Sequence, residues 1–244
     1  MQPPVQAEEL FIEATLLSHP LESDEYSTFN VPWKKQYDVW RHGNDWIANA
    51  TSPRDFEVAI MQLQRAVEQR DTILEQSYQF KTCPWFGKGL SHYAIMAELG
   101  IIRPSLKDPL RQLRNRIAHE VDDVVLERKQ CEHLSDIAWY YLKATDLITR
   151  QCAAKLTLHC GEDDPHYTLL TFEFTPRLWV VSITGNIPDR HLLSKGSPDA
   201  LSVTAASARF ENYRGVQHCK FRGSLTGPEA LCQRIVQTFF EEAV

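Results

Sequence analysis

The chain has 244 residues, of which 43% are hydrophobic and 24% are charged, so its composition is ordinary for a globular protein and excludes extensive disorder. Its length suits one large domain or two small ones. The formal net charge of -6 at pH 7 excludes a protein that coats nucleic acid through bulk electrostatics, so any contact with RNA must be local.

The first part of the chain is predicted to be mainly helical. Apolar side chains recur at helical spacing over residues 6–18, and a polar connection follows over residues 21–32. Aromatic residues then recur at near-helical intervals over residues 33–47, although His42-Gly43-Asn44 weakens that pattern. We interpret this aromatic stripe as packing rather than as a platform for base stacking.

The longest predicted helix covers residues 53–80, because Ser52 reads as a cap, Pro53 suits the first helical position and an apolar stripe follows. The next loop contains Gly87-Lys88-Gly89, which lacks the spacing and the hydroxyl residue of a phosphate-binding P-loop. We therefore exclude nucleoside triphosphate binding there and keep Lys88 as a candidate contact to an RNA backbone. A short helix is predicted over residues 92–99.

A further helix is predicted to begin at Asp108-Pro109, which reads as an N-cap followed by proline at the first helical position. At about 100° per residue, its first apolar side chains lie within roughly 60° of one another. His119 lies nearly opposite that stripe, on the face that also carries Asn115, and Arg114 is close by. Such an arrangement can hold a phosphate and move a proton.

The last predicted helix of this half covers residues 126–153, and long helices with short links favour an antiparallel bundle. The pattern changes near residue 155 to β-rich runs that glycine, proline, asparagine or aspartate separates. These runs cover residues 156–158, 167–174, 178–184, 201–210 and 217–225, and a helix is predicted over residues 230–241. The sequence therefore predicts an α+β protein, with an all-α antiparallel helical bundle over residues 1–153 and a small antiparallel sheet unit with a C-terminal helix over residues 154–244.

The segment Arg114-Asn115-x-x-x-His119 resembles the R-x(4–6)-H motif of HEPN domains, in which a polar residue often follows the arginine directly. HEPN domains are small helical bundles that usually pair as dimers. Many are metal-independent endoribonucleases of bacterial toxin–antitoxin or antiviral defence systems. The resemblance covers about residues 53–153, where the motif comes late in a helical stretch and one more long helix follows it. It implies nothing about the sheet unit.

The resemblance implies that Arg114 and His119 are the catalytic pair and that Asn115 orients the histidine or the scissile group. It also implies a homodimer, because two motif helices would place two arginines and two histidines around one cleft. Neighbouring basic side chains form a candidate RNA-binding patch with Lys88, although a run of charges on a helix is as often a solvated face. This patch consists of Arg103, Lys107, Arg111 and Arg116.

The alternative reading is a non-catalytic, HEPN-like dimeric interaction or regulatory module. In that reading Arg114, Asn115 and Glu120 form a local capping network, and His119 ends its helix near the carbonyl pole, where positive charge is favourable. The sheet unit is then, as in the nuclease reading, a candidate site for an antitoxin, another regulatory protein or RNA.

We expect no cofactor, no metal site and no association with membranes. His159-Cys160 with His166, or His218-Cys219, are the only candidate metal ligands, but adjacent residues on a strand face opposite ways and no Cys-x-x-Cys pair exists. The six cysteines show no disulfide framework, which fits reduced thiols. No signal peptide or membrane-spanning window is evident, so we expect a cytoplasmic protein.

Overall fold

The computed structural model confirms an α+β protein made of two compact units. It describes residues 8–17, 21–28, 33–86, 89–106, 108–110, 112, 126–159, 167–174 and 179–243. The helical unit takes its described residues from the ranges 28–81 and 88–152. The sheet unit takes its described residues from the ranges 1–27, 82–87 and 153–242.

Helices in the helical unit form where caps and apolar stripes predict them. Their bounds are α1 Lys35–Asn49, α2 Pro53–Tyr78, α3 His92–Glu98, α4 Arg128–Ala144 and α5 Asp146–Arg150. Helix α2 begins with a capping box in which Ser52 and Asp55 satisfy each other's backbone N–H groups. Helices α1, α2 and α4 pack against one another around the apolar stripe of α2.

Gly43 does not break helix α1, contrary to the weakening that the sequence predicts there. A Cβ atom at Gly43 would lie 3.0 Å from Leu63 Cδ2 and 3.1 Å from the carbonyl oxygen of Ala59, both on α2. The missing side chain of the glycine therefore lets α1 pack closely against α2 at this position. Packing against α2 stabilises the helix at a residue whose intrinsic propensity disfavours it.

The structure corrects the prediction of one continuous helix over residues 126–153, because the helix is interrupted there. Helix α4 ends at Ala144, the short α5 follows, and residues from Gln151 belong to a strand. The fully buried guanidinium of Arg70 lies at the junction and donates from Nη1 to the carbonyl oxygen of Leu142 at 3.1 Å. Terminal carbonyls of a helix need partners of this kind, and Arg70 supplies one from a distant point of the sequence.

Seven strands of the sheet unit form one sheet in the order β1-β6-β7-β5-β4-β3-β2. Every strand pair with a described register is antiparallel. The strands are β1 Glu8–Glu13, β2 Leu21–Thr28, β3 Gln151–His159, β4 Tyr167–Phe174, β5 Trp179–Pro188, β6 Ala200–Tyr213 and β7 Val216–Gly227. Helix α6, Glu229–Ala243, follows β7, so the strands and the helix predicted after residue 155 are confirmed.

The structure also corrects the prediction for the N-terminal segment. Residues 8–13 form strand β1 against β6 rather than part of a helix, and residues 21–28 form strand β2 rather than a polar connection. Leu10 and Ile12 are buried two residues apart, which is the spacing of one face of a strand. The described residues of the ranges 1–27 and 82–87 belong to the sheet unit instead of the predicted helical bundle.

The core of the sheet unit is apolar and lies between the sheet and α6. Trp179, Val181 and Ile183 alternate inward along β5, and the rings of Trp179 and Phe240 lie 6.1 Å apart. Gln233 on α6 donates to the carbonyl oxygen of Trp85, which fixes the loop of residues 82–86 to the helix. Within the described residues, no helix combines the length and the apolar composition that crossing a membrane requires.

Candidate functional site

The residues of the HEPN-like motif lie outside the part of the chain that the structure describes. This holds for Arg114, Asn115 and His119, and also for Lys88, Lys107, Arg111 and Arg116. Arg103 is described, and its side chain is exposed. The residues leading into the motif are helical over 108–110, and Leu110 is fully buried, as the predicted apolar stripe requires.

A cleft beside helices α2 and α3 holds an unusual group of polar side chains. We call it the α2–α3 cleft, a space of about 440 Å³ lined by Glu68, Asp71, Thr72, Glu75, Gln76, Gln79, Lys81 and His92. The acidic residues occupy one face of α2, because positions three, four and seven residues apart lie together on a helix. His92 is the first residue of α3, where the Ser91 hydroxyl caps the helix by accepting from the N–H of Ala94 at 3.2 Å.

Two tyrosines fix the carboxylate of Asp71. The hydroxyl of Tyr93 donates to Asp71 Oδ2 at 2.6 Å, and the hydroxyl of Tyr141 donates to Asp71 Oδ1. Burial, together with the charge of Asp71, raises the pKa of Tyr141 well above its usual value, so this hydroxyl remains a donor. Asp71 is therefore a fixed negative charge whose two oxygens already have partners.

His92 lies between two carboxylates without hydrogen bonding to either. Its Nε2 is 3.7 Å from Asp71 Oδ1, and its Nδ1 is 3.5 Å from Glu75 Oε2. The residue is only 8% exposed, and neither ring nitrogen has a hydrogen-bond partner. Glu75 Oε2 is likewise buried and without a hydrogen bond. The interaction with His92, whose Nδ1 approaches Oε2 to 3.5 Å, lowers the pKa of Glu75, so the cleft keeps a carboxylate beside the imidazole.

A second polar surface lies on the hairpin of β6 and β7. We call it the hairpin groove, a space of about 330 Å³ lined by Thr184, Ser207, Ala208, Arg209, Lys220, Phe221 and Arg222. Strand register pairs Arg209 with Lys220 and Ser207 with Arg222, which puts these four side chains on one face of the sheet. Cations and hydroxyls are the groups that bind phosphate oxygens.

The hairpin groove keeps most of its positive charge available. Arg209 pairs with Glu211 at 2.8 Å, but no described carboxylate forms an ion pair with Lys220 or Arg222. Near the end of the hairpin, Phe210 is 53% exposed and Tyr213 is 40% exposed. The alternation of β6 places Tyr213 on the same face as Arg209 and Phe210 on the opposite face. An exposed aromatic ring on the face that carries cations is typical of surfaces that bind single-stranded nucleic acid.

Neither polar surface was predicted from the sequence. Glu68, Asp71 and Glu75 show the spacing of one helix face, but nothing in the sequence signals that His92 completes the group, because helix packing brings it there. For the hairpin groove, the alternation of Arg209 with Glu211 and of Lys220 with Arg222 was an available signal.

The structure gives no metal-binding geometry to the residues that it describes. Among them, no group of three histidine, cysteine, aspartate or glutamate side chains is placed to hold a metal ion. His218 and Cys219 are buried neighbours on β7. Cys160 and His166 lie outside the described residues, as does the side chain of His159. Among the cysteines whose side chains the structure describes, Cys83, Cys131, Cys219 and Cys232 are buried.

Comparison with known proteins adds no further evidence. No protein-family model matches the chain, and no curated protein or solved structure matches it either. Any function of this protein must therefore be argued from its own residues.

Proposed function

We propose that this chain is a metal-independent endoribonuclease of the HEPN type, with Arg114, Asn115 and His119 at its active centre. The observation that carries this function is the Arg114-Asn115-x-x-x-His119 motif itself. In the sequence the motif comes after α3 and before α4, within a unit whose described elements are almost all helical, as in the family that it resembles.

The chemistry that follows needs only groups that the chain supplies. The 2′-hydroxyl of RNA loses its proton to a base and attacks the adjacent phosphorus, so a 2′-O–P bond forms and the P–O5′ bond breaks. An acid then protonates the departing 5′-oxygen. Histidine suits both proton transfers, and the permanent charge of Arg114 stabilises the charge that builds up on the phosphate oxygens. The products are a 2′,3′-cyclic phosphate, or the 3′-phosphate that follows from it, and a 5′-hydroxyl.

A homodimer would provide both proton-transfer groups. One chain has a single motif histidine, so the base and the acid require His119 from two copies around one cleft. A subunit interface in the helical unit would cover large apolar side chains that are exposed there. Trp46 is 45% exposed, Met61 is 54% exposed and Tyr140 is 58% exposed. The same exposed side chains favour the alternative function, a non-catalytic dimeric interaction module.

The hairpin groove supports contact with RNA outside the motif. The chain carries a net charge of -6, so attraction of a polyanion has to come from local patches. Lys220 and Arg222 make no ion pair with described carboxylates and can bind phosphates, as can the exposed Arg103 near the motif. We further propose a cytoplasmic toxin or antiviral defence protein, with an antitoxin or another regulatory protein as its partner.

Cleavage of RNA by the purified full-length protein in excess chelator tests this function. We expect single-stranded or transfer RNA to be cleaved, and His119→Ala to abolish cleavage while the circular dichroism spectrum stays unchanged. His133→Ala is the matched control, because this histidine is exposed on α4 and lies outside the motif. Full activity of the His119→Ala protein would refute the nuclease, and inactivity of the intact protein on every RNA would favour the interaction module.

A further inference from the structure

The α2–α3 cleft contains buried polar atoms that lack hydrogen bonds. These atoms are both ring nitrogens of His92 and Oε2 of Glu75. Because an unpaired buried polar atom costs about 1–3 kcal/mol, such atoms are rarely left without a partner. Since they line an open cleft rather than a closed core, a ligand entering the cleft can supply that partner.

The missing partner is a hydrogen-bond donor. A carboxylate only accepts hydrogen bonds, and a neutral imidazole offers one accepting nitrogen. Glu75 Oε2 lies 3.5 Å from His92 Nδ1, so both atoms face the same small space. The edges of Phe80 and Tyr93 hold the His92 ring at centroid distances of 5.4 Å and 5.6 Å, which keeps the imidazole in position.

The charge of the cleft selects a cation. Glu68, Asp71 and Glu75 line it against a single lysine, Lys81, whose side chain is exposed. A metal ion fits poorly, since both oxygens of Asp71 already accept hydrogen bonds from tyrosines and no described group of three ligands converges.

We propose that the α2–α3 cleft binds an organic cation with N–H donors, an alkylammonium or a guanidinium group. The group donates hydrogen bonds to Glu75 Oε2 and His92, and the fixed charge of Asp71 attracts it. A volume of about 440 Å³ is in the range of small-ligand sites. Nothing in this site uses the HEPN-like motif, so it stands apart from the nuclease function.

Titrations with defined cations test the site. The probes for the full-length protein are putrescine, agmatine and an arginine-containing tetrapeptide, with calorimetry and the shift of the melting temperature as readouts. Saturable binding of at least one probe is expected. Tighter binding of the free amines indicates a free small molecule as the natural source, and tighter binding of the peptide indicates a protein side chain. Tetramethylammonium carries the charge without N–H groups and should bind at least about tenfold more weakly.

Two variants assign the binding to the cleft. His92→Phe keeps a ring against Phe80 and Tyr93 but removes both nitrogens, and Glu75→Gln removes the charge at a partly exposed position. Each should weaken binding at least about tenfold, as the loss of a hydrogen bond to a charged group does. Glu57→Gln makes the same charge change at an exposed position of α2 outside the cleft and should leave binding unchanged.

Three results would overturn the proposal. They are the absence of saturable binding of any probe, equal binding of tetramethylammonium, or binding that Glu75→Gln leaves unchanged. Because the readout is binding and not RNA cleavage, each of these results leaves the nuclease function untouched, and an inactive nuclease would leave the cleft untouched. If His92→Phe does not fold, the probe series on the unaltered protein still tests whether it binds an organic cation with N–H donors.

Discussion

The two units of this protein handle polar groups in opposite ways. Among the described residues, the buried polar or charged side chains are Gln36, Arg70, His92, Ser135, Thr145, Thr149 and His218, and only His218 belongs to the sheet unit. Among the side chains whose burial the structure describes, the helical unit thus holds a polar network inside, whereas the sheet unit shows an apolar core and carries its charge on the hairpin. Partly satisfied buried polar groups often mark a binding site.

Their surfaces differ in the same way. The α2–α3 cleft is acidic, and the hairpin groove is basic. The net charge of -6 averages these opposite local charges and therefore predicts neither partner. We proposed a small cation as the ligand of the acidic cleft and a polyanion as the ligand of the basic groove, and substitutions in each unit test that assignment.

Removing the buried cation of the helical unit should have the largest effect. Arg70 is fully buried and its Nη2 is 3.1 Å from Asp146 Oδ1, so Arg70→Ala leaves a partly buried carboxylate and several oxygens without their donor. We expect the free energy of unfolding in urea to fall by about 3–5 kcal/mol. Arg65→Ala, at an exposed position of α2, should change it by less than about 0.5 kcal/mol. A similar loss of unfolding free energy in both variants would show that Arg70 stabilises the fold no more than an exposed arginine does.

In the sheet unit, the corresponding test adds a side chain where two strands lie close together. A Cβ atom at Gly223 would lie 2.4 Å from the carbonyl oxygen of Thr204 and 2.9 Å from Ala205 Cα, so Gly223→Ala must push β7 away from β6. Overpacking of this kind costs about 1–3 kcal/mol, and urea unfolding measures it. Ser224→Ala, one residue along the same strand, is the control. If Gly223→Ala were as stable as the unaltered protein, the described approach of the two strands would be wrong.

Reversing charge in the hairpin groove should weaken binding of single-stranded RNA. For the double variant Lys220→Glu/Arg222→Glu, fluorescence anisotropy with the His119→Ala protein separates binding from cleavage. The salt dependence should also fall, by about 0.7 in the slope of log K against log salt for each lost phosphate contact. Arg54→Glu changes an exposed cation of the helical unit and should matter much less. Unchanged affinity in the double variant would remove the groove from the RNA-binding surface.

The smallest expected effect concerns pH and the start of α2. The backbone N–H groups of Thr51 and Ser52 donate to Asp55 and hold the pKa of that carboxyl below its ordinary value of 3.8. Its stabilisation is therefore complete above the unfolded value and is lost as the pH falls through the lower native value. A carbon-detected NMR titration should report the lowered pKa of Asp55. A titration midpoint at or above the ordinary value would contradict the capping box.

Local patterns predicted most of the fold, and long-range contacts account for what they missed. Ser52-Pro53 identified the start of α2 because a cap depends only on neighbouring residues. Leu10 and Ile12 fit both a helix and a strand in so short a segment, and pairing with β6, far away in the sequence, decided for the strand. The end of α4 depends on Arg70 in the same way.

The candidate sites also differ in whether they depend on local sequence or on long-range contacts. The Arg114 to His119 motif is local and was found from the sequence. The α2–α3 cleft requires α2 to meet His92, and the hairpin groove requires the register that pairs Arg209 with Lys220. Neither arrangement follows from the sequence alone, because each depends on contacts between distant residues.

The chemistry of the RNA ends tests the central claim most directly. RNA treated with the intact protein in excess chelator should acquire 5′-hydroxyl ends, which polynucleotide kinase labels without prior phosphatase treatment, together with 2′,3′-cyclic phosphate ends. His119→Ala should produce none of these ends, while His133→Ala should produce as many as the unaltered protein. New 5′-phosphate ends, or equal labelling after treatment with His119→Ala, would contradict the assignment of this protein as a metal-independent, HEPN-type nuclease.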